Sequence, residues 1–172
     1  MGSVGFKEWA LVCEALGRGE QTIILRKGGI AEGREGFSFK HGEFFLFPTF
    51  FHEQVDKIRG GQREVPMRTD GETQIRFFAQ VELAATIRSW EIAEALEPFH
   101  ILRPDVVRER FEYDRAPGIH VAFLRVFRLG LAWNFPDARQ YGGCRSWVQL
   151  PDVPPAHVGL EPALSESDHA AR

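Results

Sequence analysis

An alternating apolar pattern in the middle of the chain most constrains its fold. Between residues 75 and 85 every second residue is apolar, which is the period of a β-strand with one buried face. Residues 119–129 carry apolar side chains at both parities, as expected of a central strand. Shorter strands are predicted at residues 21–27, 44–47 and 144–150. Since helices do not alternate regularly with these strands, the pattern favours an antiparallel or mixed sheet.

Four helices are predicted around this sheet. Residues 5–17 place apolar side chains on one helical face, and glycines follow. A second helix runs from Thr49, as its N-cap, to about residue 59. A third spans residues 89–96 with Ser89 as its N-cap, and a fourth runs from Arg103-Pro104 to about residue 113 because proline suits the first helical position. A loop is expected over residues 130–143.

The fold class follows from these elements. Strands outnumber helices, so we predict an α+β fold over residues 1–150, a mixed or antiparallel β-barrel with flanking helices. Residues 151–172 contain four prolines, with several acidic and small residues and little to bury. This composition predicts a disordered C-terminal tail.

Charge and cysteine content narrow the function classes. The net charge of the 172 residues is -3, so binding to nucleic acid would need a local basic patch rather than a basic chain. The two cysteines, Cys13 and Cys144, do not form a disulfide framework. With no signal peptide and no apolar run near membrane-spanning length, we expect a cytoplasmic protein with reduced thiols and no membrane partner.

The segment Arg26-Lys27-Gly28-Gly29 is the first candidate site. Two cations follow an apolar strand, and two glycines then allow the backbone N–H groups to approach a ligand closely. This predicts an anion-binding turn in which Arg26 and Lys27 contact phosphate; an ordinary strand end is the alternative. The pattern of a phosphate-binding P-loop is absent.

A second candidate segment begins at Thr49. Thr49, His52 and Glu53 lie at the start of the predicted helix, where backbone N–H groups favour an anion. Thr49 and His52 are therefore predicted to hydrogen-bond the ligand. Arg103 and Arg110 are further candidate ligand contacts, because basic residues cluster around them.

Three residues are candidates for catalysis. His52 with Glu53 provides a possible base, and Cys144 a possible nucleophile if a nearby cation lowers its pKa. A small buried cysteine beside a turn is the alternative for Cys144. His41, His52, His100 and Cys144 contain no short pair with metal-ligand spacing, so neither a metal nor a cofactor is predicted.

Four segments resemble a bacterial family known as domain of unknown function 1802. They are Trp9-Ala-Leu-Val-Cys-Glu-Ala-Leu16, Leu25-Arg-Lys-Gly-Gly-Ile30, Phe47-Pro-Thr49 and Gly143-Cys-Arg-Ser-Trp147. The resemblance covers about residues 6–150. Because this family is uncharacterised, the resemblance implies no activity.

A shorter resemblance concerns the fold. Gly19, Thr22, Ile23 and Arg26 are similar to the opening of ASCH domains, which belong to the PUA-like β-barrels, and this implies a barrel that often binds RNA or modified bases. ASCH amidohydrolases of acetylated cytidine use a lysine and a threonine in this segment. The chain has Gln21 and Ile24 there, which can act neither as base nor as nucleophile.

Together these features predict a binding module for RNA, DNA or a nucleotide, with phosphate on the cations near residue 26. A hydrolase or nuclease using His52 and Glu53, with His100 or Cys144, is one alternative. A protein-interaction or regulatory accessory domain is the other, and it would expose an apolar patch. The sequence names no protein partner.

Overall fold

The computed structural model describes residues 3–28, 36–61, 63–157 and 159–172. Its strands are β1 Val4–Trp9, β2 Ile23–Arg26, β3 Glu43–Thr49, β4 Glu72–Ile87, β5 Ile119–Pro136, β6 Trp147–Gln149 and β7 Leu160–Pro162. Its α-helices are α1 Ala10–Gly17, α2 Trp90–Ala95, α3 Pro104–Phe111 and α4 Glu166–Ala170, with short 3-10 turns at His52–Lys57, Glu97–Phe99, Arg139–Tyr141 and Pro155–His157. In these ranges no helix combines the length and the apolar character that a membrane span needs.

One mixed sheet organises the strands. Its order is β2-β5-β4-β3-β1-β6, and β7 pairs with β5 on the side. Of the described strand pairs, only β1 with β3 is parallel. The longest strand pair of the sheet is antiparallel β4 with β5, which runs from Ile87 opposite Ile119 to Glu72 opposite Pro136; α2 and α3 lie in the connection between these strands.

The two ends of the sheet approach each other. The edge strand β2 ends at Arg26, whose Nε donates to the Ser146 hydroxyl at 3.1 Å, immediately before the opposite edge strand β6. The Ser146 carbonyl also accepts from the backbone N–H of Lys7 at 2.8 Å. The sheet therefore curves round on itself with helices outside it. The predicted class, an α+β fold with a mixed β-barrel and flanking helices, is confirmed.

Two apolar clusters fill this architecture. The larger one lies around Phe6, Leu16 and Ile23. It contains residues of β1, α1 and β2, and of the end of the β4–β5 pair that lies next to β2. The smaller one lies at the other end of the β4–β5 pair, around Ile75 and Trp133. Burial of a large apolar side chain contributes about 1.5–3 kcal/mol, so both clusters stabilise the fold.

The alternating pattern of β4 holds only in its first half. Ile75, Phe77 and Ala79 are buried as predicted, whereas Leu83 is 57 % exposed. The pairing with β5 shifts register between Val81 and Leu83. The segment just after this shift, residues 82–86, is exposed on both faces, and Ile87 returns to the core at the end of the strand.

Two predicted helices are wrong in part. Residues 4–9 form strand β1 rather than helix, because this segment pairs with β3 on one side and β6 on the other, and tertiary pairing overrides the local helical period. Thr49 ends β3 instead of capping a helix, and its hydroxyl donates to the Glu8 carbonyl at 3.1 Å. The helices beginning after Ser89 and Arg103 are confirmed, with the Ser89 hydroxyl accepting from the Ile92 N–H at 3.4 Å.

Two further segments differ from their predictions. Strand β5 continues to Pro136 through part of the expected loop at 130–143, since β4 supplies a partner along that length. The last predicted strand is shorter, Trp147–Gln149.

The C-terminal segment after residue 159 also differs, because it contains β7 and α4 where a disordered tail was predicted. An acidic side chain of this segment, Glu166, forms an ion pair with Arg125 on β5. His169 Nε2 lies 2.9 Å from a Glu82 carboxylate oxygen.

Candidate functional site

Two clefts adjoin at the loop Gly142-Gly143-Cys144. The smaller, here called the basic cleft, has a volume of ≈ 240 Å³ and is lined by Trp9, Arg26, Lys27, Gly28, Lys57, Val106, Glu109, Arg110, Tyr113 and Cys144. The larger, here called the large cleft, has a volume of ≈ 560 Å³ and includes Lys7, Thr49, Gly142 and Gly143 in its lining. Strand ends, the C-terminal half of α3 and this glycine loop thus place several of the predicted residues side by side.

The charge of the basic cleft is strongly positive. Its lining contains four cations, Arg26, Lys27, Lys57 and Arg110, and one carboxylate, Glu109. Lys27 is also paired with Asp114. Because the whole chain carries a net charge of -3, this concentration of cations is a local feature and not a consequence of composition. Convergent positive charge in a concave site attracts anions.

Arg26 and Arg110 are held in place by hydrogen bonds and aromatic rings. Arg26 Nε donates to Ser146, and its guanidinium lies 5.5 Å from the centre of the Phe6 ring. Arg110, on α3, donates from Nη1 to the Leu25 carbonyl at 2.7 Å and lies 4.5 Å from the centre of the Trp9 ring. In the described part of the chain neither guanidinium lies within ion-pair distance of a carboxylate.

Burial and neighbouring charge act together on Arg110. Desolvation lowers its pKa, Glu8 counteracts this shift, and Arg26 adds to the lowering. The mutual influence of Arg26 and Arg110 means that two cations share one partly buried site. Bringing an anion between them would relieve this repulsion.

The Lys27 ammonium is surrounded by acceptors of the protein itself. Its Nζ donates to the carbonyls of Ala116 at 2.7 Å and Gly118 at 2.9 Å, and it lies 3.0 Å from an Asp114 carboxylate oxygen. These contacts use the ammonium donors to hold the connection between α3 and β5. Lys27 therefore shapes the wall of the basic cleft, while Arg26 beside it keeps donors that no described residue accepts.

Replacing Lys27 with methionine is expected to lower the free energy of unfolding by about 1–3 kcal/mol, because the carbonyls and carboxylate around Nζ lose a charged donor. Lys57→Met serves as the matched control, since the Lys57 side chain has no hydrogen bond or ion pair with a described residue, and its effect should stay within about 0.5 kcal/mol. Urea unfolding measures both. Equal effects of the two substitutions would contradict this assignment.

Gly28 is required by the backbone and by packing. Its φ is +91°, and a Cβ at this position would lie 2.4 Å from Phe37 Cβ. The glycine thus admits the Phe37 side chain, in addition to lining the basic cleft. Gly29, the second glycine of the predicted turn, lies outside the described residues.

Gly28→Ala is expected to lower the free energy of unfolding by about 2–4 kcal/mol, the sum of left-handed strain and the steric conflict with Phe37. Gly71→Ala is the control, because Gly71 also has a positive φ, +75°, but a methyl group added there would meet no atom within 4 Å. It should cost about 1 kcal/mol from strain alone. Thermal and urea unfolding give the comparison, and a Gly28 effect no larger than that of Gly71 would refute the packing role.

Other predicted ligand contacts lie away from the basic cleft. Thr49 lines the large cleft. His52 is exposed on the turn His52–Lys57 and lines neither cleft. Arg103 is engaged by Asp105 at 3.0 Å and by the Asp56 carbonyl at 3.1 Å. Thus Arg26, Lys27, Gly28, Arg110 and Cys144 converge, whereas Thr49, His52 and Arg103 do not join them.

The residues proposed for hydrolysis do not form a catalytic group in the described structure. His52 and Glu53 are exposed, and their side chains make no hydrogen bond or ion pair with each other or with another described residue. His100 is 3 % exposed, and its Nδ1 accepts from the Leu102 N–H at 3.1 Å. Burial, followed by the charges of Arg59 and Arg110, lowers the pKa of His100 to about 4.

Cys144 is exposed in the basic cleft. The alternative interpretation, a small buried cysteine beside a turn, requires burial and therefore does not apply. Among the described residues, the Cys144 thiol makes no hydrogen bond with His52, Glu53 or His100. Within the same residues, no group of three His, Cys, Asp or Glu side chains is arranged to hold a metal ion.

Lys7, Lys57 and Tyr113 line the clefts but were not predicted from the sequence. Lys7 is 6 % exposed, and its Nζ donates to the carbonyls of Gly142 at 2.9 Å and Gly143 at 3.1 Å. Burial lowers the pKa of Lys7, Cys144 counteracts the shift, and Arg26 adds to it. For Lys7, the only signal in the sequence is a charged residue within an apolar segment. Because residues 5–17 are predicted as a helix, this signal does not lead to a cleft residue on a strand.

The barrel and its basic cleft define an α+β protein with a site suited to anions. The chain belongs to the family described as Domain of unknown function (DUF1802), which matches residues 5–172. The comparison with curated proteins found no match.

Three matching crystal structures are ASCH proteins from Zymomonas mobilis, each 14% identical in sequence to this chain. A serine-to-alanine mutant of ZmASCH has a TM-score of 0.47 over 72% of this chain and 67% of its own. The ASCH structure without a named mutation has 0.46 over 72% and 66%. A tyrosine-to-phenylalanine mutant has 0.47 over 87% and 90%.

Proposed function

We propose that this protein binds a phosphate-bearing ligand, a single-stranded nucleic acid or a nucleotide, in the basic cleft. The observation that carries the proposal is the convergence of Arg26, Lys57 and Arg110 on one cleft, without ion-pair partners among the described residues. Arginine presents a fork of donors that matches phosphate oxygens, and both guanidiniums retain donors that no described residue accepts. A cytoplasmic location, expected from the cysteine content, belongs to the same proposal.

An aromatic side chain beside the cations favours a nucleotide over inorganic anions. Tyr113 lines the basic cleft and is 60 % exposed. Exposed aromatic rings next to a positive groove stack on nucleobases, and stacking contributes about 1–3 kcal/mol per base. In this arrangement Arg26, Lys57 and Arg110 bind phosphate, Tyr113 stacks on a base, and Gly28 lets the backbone come close to the ligand.

The test is a titration of fluorescently labelled single-stranded RNA and DNA, and of a nucleoside triphosphate, at several salt concentrations. With two to three phosphates neutralised, the logarithm of the binding constant should fall against the logarithm of salt with a slope of about −2. Lys57→Gln should reduce this slope by about 0.7, whereas Arg103→Gln, outside the cleft, should leave it unchanged. The proposal fails if none of the three ligands binds, or if binding does not depend on salt.

A further inference from the structure

Lys7 is a buried cation whose charge is not neutralised by any described carboxylate. Lys7 lies on strand β1 and is only 6 % exposed. Two of its ammonium donors are used by the carbonyls of Gly142 and Gly143, so one donor is left over. A buried charge is costly unless a counter-charge or further hydrogen bonds compensate it.

Aromatic residues line the large cleft in which Lys7 lies. Phe47 and Tyr141 are buried, with ring centres 5.5 Å apart. Phe50 is half-buried, and its ring makes no stacking contact with a described aromatic residue. The cleft therefore offers a planar ring an apolar wall with one unused aromatic face.

A second cation with unused donors stands at the same cleft. Arg139 is exposed, and its side chain has no hydrogen bond or ion pair with a described residue. Arg68 and Asp137, also in the lining, pair with each other, so they add no net charge. Glu72 is the remaining carboxylate in the lining, and it is exposed. Lys7 and Arg139 are consequently the groups that an incoming anion would meet.

We infer that the large cleft is a second binding site, for a compact aromatic molecule that carries one oxyanion. The oxyanion accepts the remaining N–H of Lys7 and a guanidinium donor of Arg139, and the ring packs on Phe50. Carboxylate and phosphate share this chemistry. The ≈ 560 Å³ of the cleft accommodates a small ring-bearing ligand of this kind. This inference does not depend on the nucleotide site, because different residues carry it.

Isothermal titration calorimetry with three probes tests the inference: benzoate, phenyl phosphate and inorganic phosphate. We expect at least one ring-bearing anion to bind with a dissociation constant below about 10 mM, at least about 10-fold more tightly than inorganic phosphate. Benzoate and phenyl phosphate distinguish a carboxylate from a phosphate ligand. Arg139→Gln should weaken the binding by about 10-fold, and Lys7→Met should abolish it.

Arg115→Gln is the matched control, because Arg115 is exposed and lines neither cleft. Arg110→Gln separates this site from the basic cleft, since it should weaken nucleotide binding and not that of the ring-bearing anion. The inference is overturned if neither aromatic anion binds, if inorganic phosphate binds equally well, or if Arg110→Gln weakens the probe while Arg139→Gln does not. Arg139→Gln keeps the test decisive even where Lys7→Met disturbs folding.

Discussion

Replacing Arg26 and Arg110 together with glutamine is expected to weaken the binding of single-stranded nucleic acid by about 100-fold or more. Each guanidinium in contact with phosphate contributes about 1.5–3 kcal/mol as a charge-assisted hydrogen bond. Two such losses correspond to about 3–6 kcal/mol, or more than a factor of about 100 in affinity. Fluorescence anisotropy at constant ionic strength measures the change.

The control for this prediction is a second pair of arginines, at the start of α3 and within it. Arg103 and Arg108 are also cations of the α3 region, but Arg103 contacts Asp105, and Arg108 contacts Glu112 and the Trp90 ring, away from the basic cleft. The double variant Arg103→Gln/Arg108→Gln therefore changes the net charge equally. If it weakens binding as much as Arg26→Gln/Arg110→Gln, the attraction is non-specific and the basic cleft is not the site. Circular dichroism establishes that both variants are folded.

Part of the candidate site could be predicted from local sequence. Arg26 follows an apolar strand directly, and this pattern places a cation at the edge of the sheet, where it is found. Arg110 shares a helical face with Val106, and both line the basic cleft because the period of α3 keeps them together. Local sequence patterns thus indicate the positions of Arg26 and Arg110. They do not indicate that the Arg103 side chain binds Asp105 instead of facing the cleft.

The remaining residues depend on contacts between distant parts of the chain. Lys7 reaches the carbonyls of residues 142 and 143 only because β1 pairs with β6. The sequence neighbours of Lys27 predict a ligand contact, and the protein acceptors that surround its Nζ come from residues 114–118. A single sequence records neither pairing. The same reason explains why the helical period of residues 5–9 gave the wrong element there, since two strand partners outweigh a local preference.

Acid stability gives the second large effect, and it originates at His100. The folded-state pKa of His100 is about 4, against an ordinary value of 6.5, because the imidazole is buried and the charges of Arg59 and Arg110 disfavour its protonation. Above pH 6.5 the imidazole is neutral in both the folded and the unfolded state, so its titration does not change the free energy of unfolding there. Between pH 6.5 and about 4 the unfolded state binds a proton that the folded state does not, and stability falls by up to about 3 kcal/mol as the pH decreases.

Two neutral replacements isolate this contribution. Asparagine at position 100 retains an acceptor near the position of Nδ1 for the Leu102 N–H, while phenylalanine retains the ring volume without the acceptor. The two variants should differ from each other in stability at neutral pH, because one keeps the hydrogen bond and the other the packing. Both should nevertheless lose about 2–3 kcal/mol less than the parent protein between pH 7.5 and about 4.5, since neither can bind the proton. Urea unfolding at the two pH values measures this difference, in which the carboxylate contributions cancel. Parallel losses in the parent protein and both variants would show that the buried imidazole does not limit the acid stability of the fold.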